Sequence, residues 1–192
     1  MTSLAIFASG SGSNAENITH YLENRPDIKV KFVLYNRREA GVVDRMERLK
    51  IPSYYFSNSE LREGKVLEFL KVEGIDFIIL AGFLAKIPSD IVSNFPEKIL
   101  NIHPALLPKY GGKGMYGEHV HKAVKAAGEK ESGITIHLVN EFYDEGAIVF
   151  QAKTDIDATD QASDIATKIH DLEYKYFPKT IVDYILTHGQ KE

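Results

Sequence analysis

The stretch Leu4-Ala5-Ile6-Phe7-Ala8-Ser9-Gly10-Ser11-Gly12-Ser13-Asn14-Ala15 decides the fold. Five apolar residues without alternation read as a strand buried on both faces, as in a parallel sheet covered by helices. The small residues after it open into Asn14 to Leu22, where apolar positions recur at spacings of three and four and predict a helix. Glycine at 10 and 12 permits a tight turn. The helix start adds free N–H groups and the positive end of its dipole, so the turn is a cradle for a phosphate. An ordinary strand-to-helix turn is the bland alternative, but so many glycines and serines exceed what such a turn needs.

The same alternation continues outward. Short apolar runs such as Val30 to Leu34 and Phe77 to Ala81 read as further strands, Gly41 to Leu49 and Leu61 to Val72 as helices, and a fifth strand is expected at Lys98 to His103. Strands alternating with helices imply right-handed crossovers onto a parallel sheet. After residue 130 the period changes. Ile134, Ile136 and Leu138 alternate with Thr135, His137 and Val139, and Ala147 to Ala152 follows across a loop, which predicts a β-hairpin. A last helix is expected from Thr159 or Asp160 as N-cap, with Ile165, Ile169, Leu172 and Tyr176 inward and Pro178 breaking or kinking it, before Thr180 to His188 closes the core. The expected fold class is α/β, a Rossmann-like, mostly parallel sheet with helices on both faces and a C-terminal hairpin and helix.

At 192 residues and 44% hydrophobic content the chain suits one domain, with no repeat or linker to divide it. A net charge of −4 is too mild for a nucleic-acid binder. The absence of cysteine excludes disulfides, thiolate metal sites and a cysteine nucleophile, and fits a reducing compartment, with cytoplasm the default. Nothing at the amino terminus reads as a targeting segment, and the apolar run Phe77 to Ala85 is about half of what a membrane-spanning helix requires, so a soluble protein is expected.

Gly10, Gly12 and Ala15 also fit a dinucleotide-binding fingerprint. An NAD enzyme would place an acidic residue about twenty positions on, where this chain has Tyr35-Asn36-Arg37-Arg38; the arginines keep an NADP-linked oxidoreductase as a rival, beside a non-catalytic nucleotide-binding module. A single phosphomonoester is the simpler ligand.

Leu100-Asn101-Ile102-His103-Pro104 ends the fifth strand. Residues two apart project from one face, about 6.6 Å apart along the strand, so Asn101 and His103 point together at the carboxyl end, where open α/β sheets bind ligands. An amide donates to a developing oxyanion, and an imidazole moves protons near neutral pH. Asp144, in the loop Asn140 to Gly146, is positioned in sequence to supply the charge that keeps such a histidine protonated. His119 and His121 have the spacing of a metal pair, which His103, His137 and His170 could join. The segment from Glu118 to Ala126 reads as helix, however, where positions two apart do not share a face. An exposed loop-to-helix junction is the expectation there, with no metal. His137, on the polar face of the hairpin strand, lines the site or packs beside it.

With these stretches in place the chain resembles the glycinamide ribonucleotide formyltransferases over almost its whole length. Ser9 to Asn14 is similar to the family's phosphate loop, Leu80-Ala81-Gly82-Phe83 to the strand before its folate segment, and Asn101-Ile102-His103-Pro104-Ala105-Leu106-Leu107-Pro108-Lys109-Tyr110 to its catalytic signature. Thr135 to Leu138 and Asp144-Glu145-Gly146 resemble its closing hairpin.

The resemblance implies one formyltransferase domain over residues 1–192, with a phosphate-binding half to about 100 and a catalytic, folate-binding half beyond. It implies Asn101, His103 and Asp144 as catalytic set, Gly12, Ser13 and Asn14 on the ribonucleotide phosphate, and Glu173 on the ribose hydroxyls. Arg62, Leu84, Ala85, Lys86, Ile87 and Asn101 would meet the folate. The implied substrates are glycinamide ribonucleotide and 10-formyltetrahydrofolate as co-substrate, with no metal, nucleic acid or membrane involved.

Two stretches depart from the family pattern. Ala85 stands where the folate segment usually has a basic residue, with Lys86 next. Gly111-Gly112-Lys113-Gly114-Met115-Tyr116-Gly117 is longer and richer in glycine than its counterpart, and reads as a flexible lid. Relatives sharing this catalytic core act on methionyl-tRNA or nucleotide sugars, or hydrolyse the formyl folate. The length, which leaves little room for a tRNA-binding domain, and the phosphate loop favour the small phosphorylated acceptor.

Overall fold

A computed structural model of the chain describes residues 1–189. Seven strands form one sheet, β1 (Thr2–Ala8), β2 (Ile28–Tyr35), β3 (Ser53–Tyr55), β4 (Phe77–Leu80), β5 (Ile99–His103), β6 (Glu131–Leu138) and β7 (Ile148–Asp155). Their order is β3-β2-β1-β4-β5-β6-β7, parallel through β5 and antiparallel from β5 to β7.

Helices cover both faces, and β1 shows how the sequence requires this. Leu4, Ile6 and Ala8 pack into one core with α1 (Ser13–Leu22), α2 (Val42–Arg48), α6 (Glu118–Ala126) and α7 (Ala162–His188). Ala5 and Phe7 pack into the other with α3 (Asn58–Arg62), α4 (Lys65–Val72) and α5 (Ser89–Asn94). A strand with no polar alternation has no face to give to water.

The order reverses between β1 and β4, and the crevice beyond the carboxyl ends at such a switch point is where these sheets bind ligands. Ser9 ties the two strand ends together. Its N–H donates to the Gly82 carbonyl (3.0 Å), its Oγ accepts from the Leu84 N–H (3.0 Å), and the same hydroxyl donates to Asn36 Oδ1 (2.7 Å).

Four expectations need correction. The helix expected over Leu61 to Val72 is two helices, because Gly64 adopts a left-handed φ of 82° and caps α4. The short edge strand β3 has no counterpart among the expected strands. The last helix starts one residue past Gln161, whose N–H is capped by Asp164, rather than at Thr159 or Asp160. Pro178 does not end it, and α7 runs through to His188. Proline leaves the carbonyl four residues back without its donor. That carbonyl, of Tyr174, instead accepts from Asn17 Nδ2 of α1 at 3.0 Å.

Candidate active site

Beyond the carboxyl ends of β4 and β5 lies a cavity of about 760 Å³, lined by residues from the β4–α5 segment, the end of β5, the Gly112–Gly117 loop, the β6–β7 loop and α7. Asn101 and His103 share one face of β5, as their spacing predicts. Each then acquires a partner that fixes its proton. His103 Nε2 donates to the Tyr110 carbonyl at 2.8 Å, which leaves Nδ1 facing Asp144 Oδ2 at 3.6 Å. His137 Nδ1 donates to the Leu138 carbonyl at 2.8 Å, and its Nε2 meets Asn101 Nδ2 at 3.0 Å. The second amide hydrogen of Asn101 remains available to the cavity.

Asp144 is the hub. Its Oδ2 accepts the Gly112 N–H at 2.8 Å, and its Oδ1 lies 3.6 Å from His137 Nε2. Burial alone would push this carboxyl up, yet His137, the nearby His103 and the Gly112 N–H together hold it below the ordinary aspartate value. Asp144 and Tyr110 both adopt φ of 57°, a left-handed conformation rare outside glycine. Two such residues at one site, each aiming a group at His103, are strain retained where it positions chemistry.

Burial is the largest influence on His103, 4% exposed, and holds its pKa below 6.5 despite the upward pull of Asp144 and the Tyr110 carbonyl. The direction expected of Asp144 is therefore present, but it does not by itself keep the ring protonated, since desolvation outweighs it.

The hairpin strand differs from its expected half-exposed pattern. Thr135 and His137 are as buried as the neighbouring Ile134 and Ile136, because the chain after β5 packs over that face. Thr135 Oγ1 donates to the Ala105 carbonyl (2.7 Å) and accepts from the Leu107 N–H (3.0 Å) and Gln151 Nε2 (2.9 Å), bracing the segment that follows His103.

On the wall of the same cavity, Asn14 Nδ2 donates to Glu173 Oε2 at 2.8 Å, and His170 Nδ1 meets the same oxygen at 3.1 Å. Asn14 Oδ1 is buried with no partner among the described residues. Gly12 caps α1 at φ 76° and Ser13 begins the helix; both sit beside Asn14 but outside the cavity lining. Gly12 is also constrained by packing, since a Cβ there would run into Val42 of α2.

Leu84, Ala85, Lys86 and Ile87 do line the cavity, with Lys86 Nζ 5.8 Å from the Tyr143 ring centroid. Arg62 does not; it lies exposed at the end of α3. The arginines that kept the NADP alternative open, Arg37 and Arg38, are both exposed, the Arg38 guanidinium 4.4 Å from the Tyr55 ring centroid. His121, expected at an exposed junction, is 7% exposed and on the cavity wall, whereas His119 is exposed. The signal lay in the sequence: His121 is three residues before Val124 and next to Val120, on the inner stripe of α6.

The family model described as formyl transferase matches residues 2–181. The chain belongs to the formyl transferase family. Among similar proteins, this formyl transferase is 35% identical over 187 residues to the phosphoribosylglycinamide formyltransferase of Bacillus subtilis (strain 168), covering 94% of this chain and 93% of that one. It is 37% identical over 185 residues to the chloroplastic phosphoribosylglycinamide formyltransferase of Arabidopsis thaliana, covering 93% of this chain and 63% of that one. It thus spans less than two thirds of the plant relatives, 63% and 59% of the two matched. Among solved structures, phosphoribosylglycinamide formyltransferase from Streptococcus pneumoniae TIGR4 superposes with a TM-score of 0.85 at 31% identity, covering 95% of this chain and 98% of that one. The same enzyme from Bacillus halodurans gives 0.86 at 31% identity, over 99% and 97% of the two chains. The Rossmann-like formyltransferase fold is thereby established.

Proposed function

We propose that this formyl transferase moves the formyl group of 10-formyltetrahydrofolate onto the amine of glycinamide ribonucleotide, in purine synthesis. The single observation that carries the reading is the cavity itself, whose lining includes both the Asn101–His103–Asp144 cluster and the Asn14–Glu173 pair. An acceptor bearing a reactive amine and a ribose phosphate has chemistry for both.

The ribose hydroxyls meet Glu173, and the phosphate meets the N-terminus of α1 at Gly12, Ser13 and Asn14. The folate lies along Leu84 to Ile87, with its formyl group at Asn101; Arg62, outside the cavity, reaches only a part of the folate that projects from it. The amine attacks the formyl carbon directly, and the new C–N bond forms as negative charge collects on the formyl oxygen. The free amide hydrogen of Asn101 and the Nδ1 side of His103 receive that charge. A developing anion beside Asp144 draws a proton onto Nδ1, offsetting the burial that otherwise keeps the ring neutral. His103 then delivers that proton to the departing folate nitrogen as its bond to the formyl carbon breaks, and the amine's own proton restores the balance. The reaction uses no covalent enzyme intermediate, metal or nucleic acid. A chain without cysteine that works on soluble metabolites fits the cytoplasm.

Incubation with 10-formyltetrahydrofolate, with and without glycinamide ribonucleotide, tests this. Folate product that depends on the acceptor, with formylated ribonucleotide formed in equal amount, is the expected result. Equal folate turnover without acceptor would make the protein a hydrolase and end the proposal.

A further inference from the structure

One side chain on the cavity wall has no part in the chemistry above. His121 is 7% exposed, and its Nδ1 is sealed from solvent with no hydrogen-bond partner among the described residues. Val120 and Val124 of the same helix are buried in the core, and His121 shares their inward stripe. Burying an imidazole with one nitrogen bare is costly, and such a group in a native chain calls for an explanation.

The location of the bare atom specifies what the ring offers. A buried N–H without an acceptor is the rarer and dearer defect, so the neutral ring keeps Nδ1 as a lone pair and carries its single proton on Nε2. Charging the ring would force an N–H onto Nδ1. Burial accordingly holds His121 below the ordinary histidine value, although Glu173 of α7 and Glu118 of its own helix pull upward; His103 at the end of β5 pushes the same way as burial. His121 is thus a fixed, uncharged, one-proton donor, close enough to feel both Glu173 and His103.

We propose that His121 is a specificity residue for the acceptor, its Nε2–H donating to the carbonyl oxygen of the amide that joins ribose to amine. This deepens the transfer reaction proposed above and rests on it. An acceptor with its ribose at Glu173 and its amine at His103 has only that amide linkage between the two ends. A neutral N–H matches a neutral carbonyl; it would not compete with Glu173 for hydroxyls or repel the attacking amine.

The test compares glycinamide ribonucleotide with its thioamide counterpart, whose sulfur is the weaker hydrogen-bond acceptor, in wild type, His121→Phe, His121→Leu and His121→Gln. Calorimetric binding of a non-reactive folate analogue with wild-type affinity shows that a variant is folded, and leucine serves where phenylalanine is not accommodated. Wild type should prefer the oxygen acceptor. In the apolar variants KM for that acceptor should rise by roughly tenfold, kcat should change far less, and the preference for oxygen over sulfur should vanish. Glutamine, which retains a donor, should restore part of it. An unchanged preference in a folded apolar variant overturns the assignment while leaving the reaction intact. A wild-type protein that transfers no formyl group to either acceptor overturns both.

Discussion

Asp144→Asn isolates the charge at the centre of the site. The amide keeps the volume and one carbonyl oxygen, which can still accept the Gly112 N–H that Oδ2 now takes at 2.8 Å. What disappears is a full negative charge 3.6 Å from His103 Nδ1. At that separation Coulomb's law gives roughly 1 kcal/mol in a water-like dielectric and roughly 5 kcal/mol at an effective value near 20. His103 is 4% exposed and the Asp144 side chain 12%, so the second limit is the closer one. If the protonated ring is the active form, kcat/KM on the alkaline side should fall by roughly 10- to 10³-fold. The sign follows from the causes: burial already depresses His103, Asp144 opposes it, and removing Asp144 leaves burial unopposed. The folded pKa therefore drops further, the rate falls as pH rises through a lower value, and the alkaline limb moves toward acid. The deficit narrows at low pH, where both proteins hold the proton. The assay is the full pH–rate profile of both proteins with an NMR titration of His103. The same loss at every pH, with the titration unmoved, would refute the reasoning and assign Asp144 to holding the Gly112 segment.

Three further outcomes are expected. Asn101→Ala should lower kcat by roughly 10²- to 10³-fold as an oxyanion donor is lost; a folded variant at wild-type turnover removes Asn101 from the mechanism. Thr135→Val keeps the shape but strands the Leu107 N–H and its neighbours, and should cost roughly 1–3 kcal/mol in urea unfolding; no change in midpoint would mean the hydroxyl braces nothing. Gly12→Ala combines a left-handed φ with a clash against Val42 and should cost roughly 2–4 kcal/mol, whereas Gly10→Ala, with open space around its Cβ, should change stability little; equal effects at both positions would contradict this account of the turn.

The sheet was legible because its strands carry no ambiguity of face. Leu4 to Ala8 cannot be half exposed, and Asn101 with His103 at a strand end could only project together. What escaped the sequence did so for local reasons. Gly64 sits inside an apolar period that continues across it, so periodicity alone joins α3 to α4. Pro178 reads as a breaker until a donor from another helix, Asn17, is known to take the carbonyl it frees. Thr135 and His137 look like a solvated face because nothing in β6 announces that the chain after Pro104 returns to cover it. The inward position of His121 follows from the stripe of α6 that it shares with Val120 and Val124, which the His119–His121 spacing obscures. The balance at His103 was beyond sequence altogether, since the depth of burial that outweighs Asp144 belongs to the packed molecule.

The proline in α7 has a consequence for the order in which the molecule spends its freedom. The carbonyl it releases, of Tyr174, is held by Asn17, and one turn earlier on α1 Asn14 holds the adjacent Glu173. Two of the groups assigned to the ribonucleotide, Asn14 and Glu173, are thus cross-braced before any ligand arrives, by paired bonds between elements far apart in the chain. A wall set in advance has little left to lose when it is occupied, so the acceptor's contacts there go into affinity rather than into ordering the protein. Asn17 touches no reacting atom, yet it makes the acceptor wall of the cavity a rigid template.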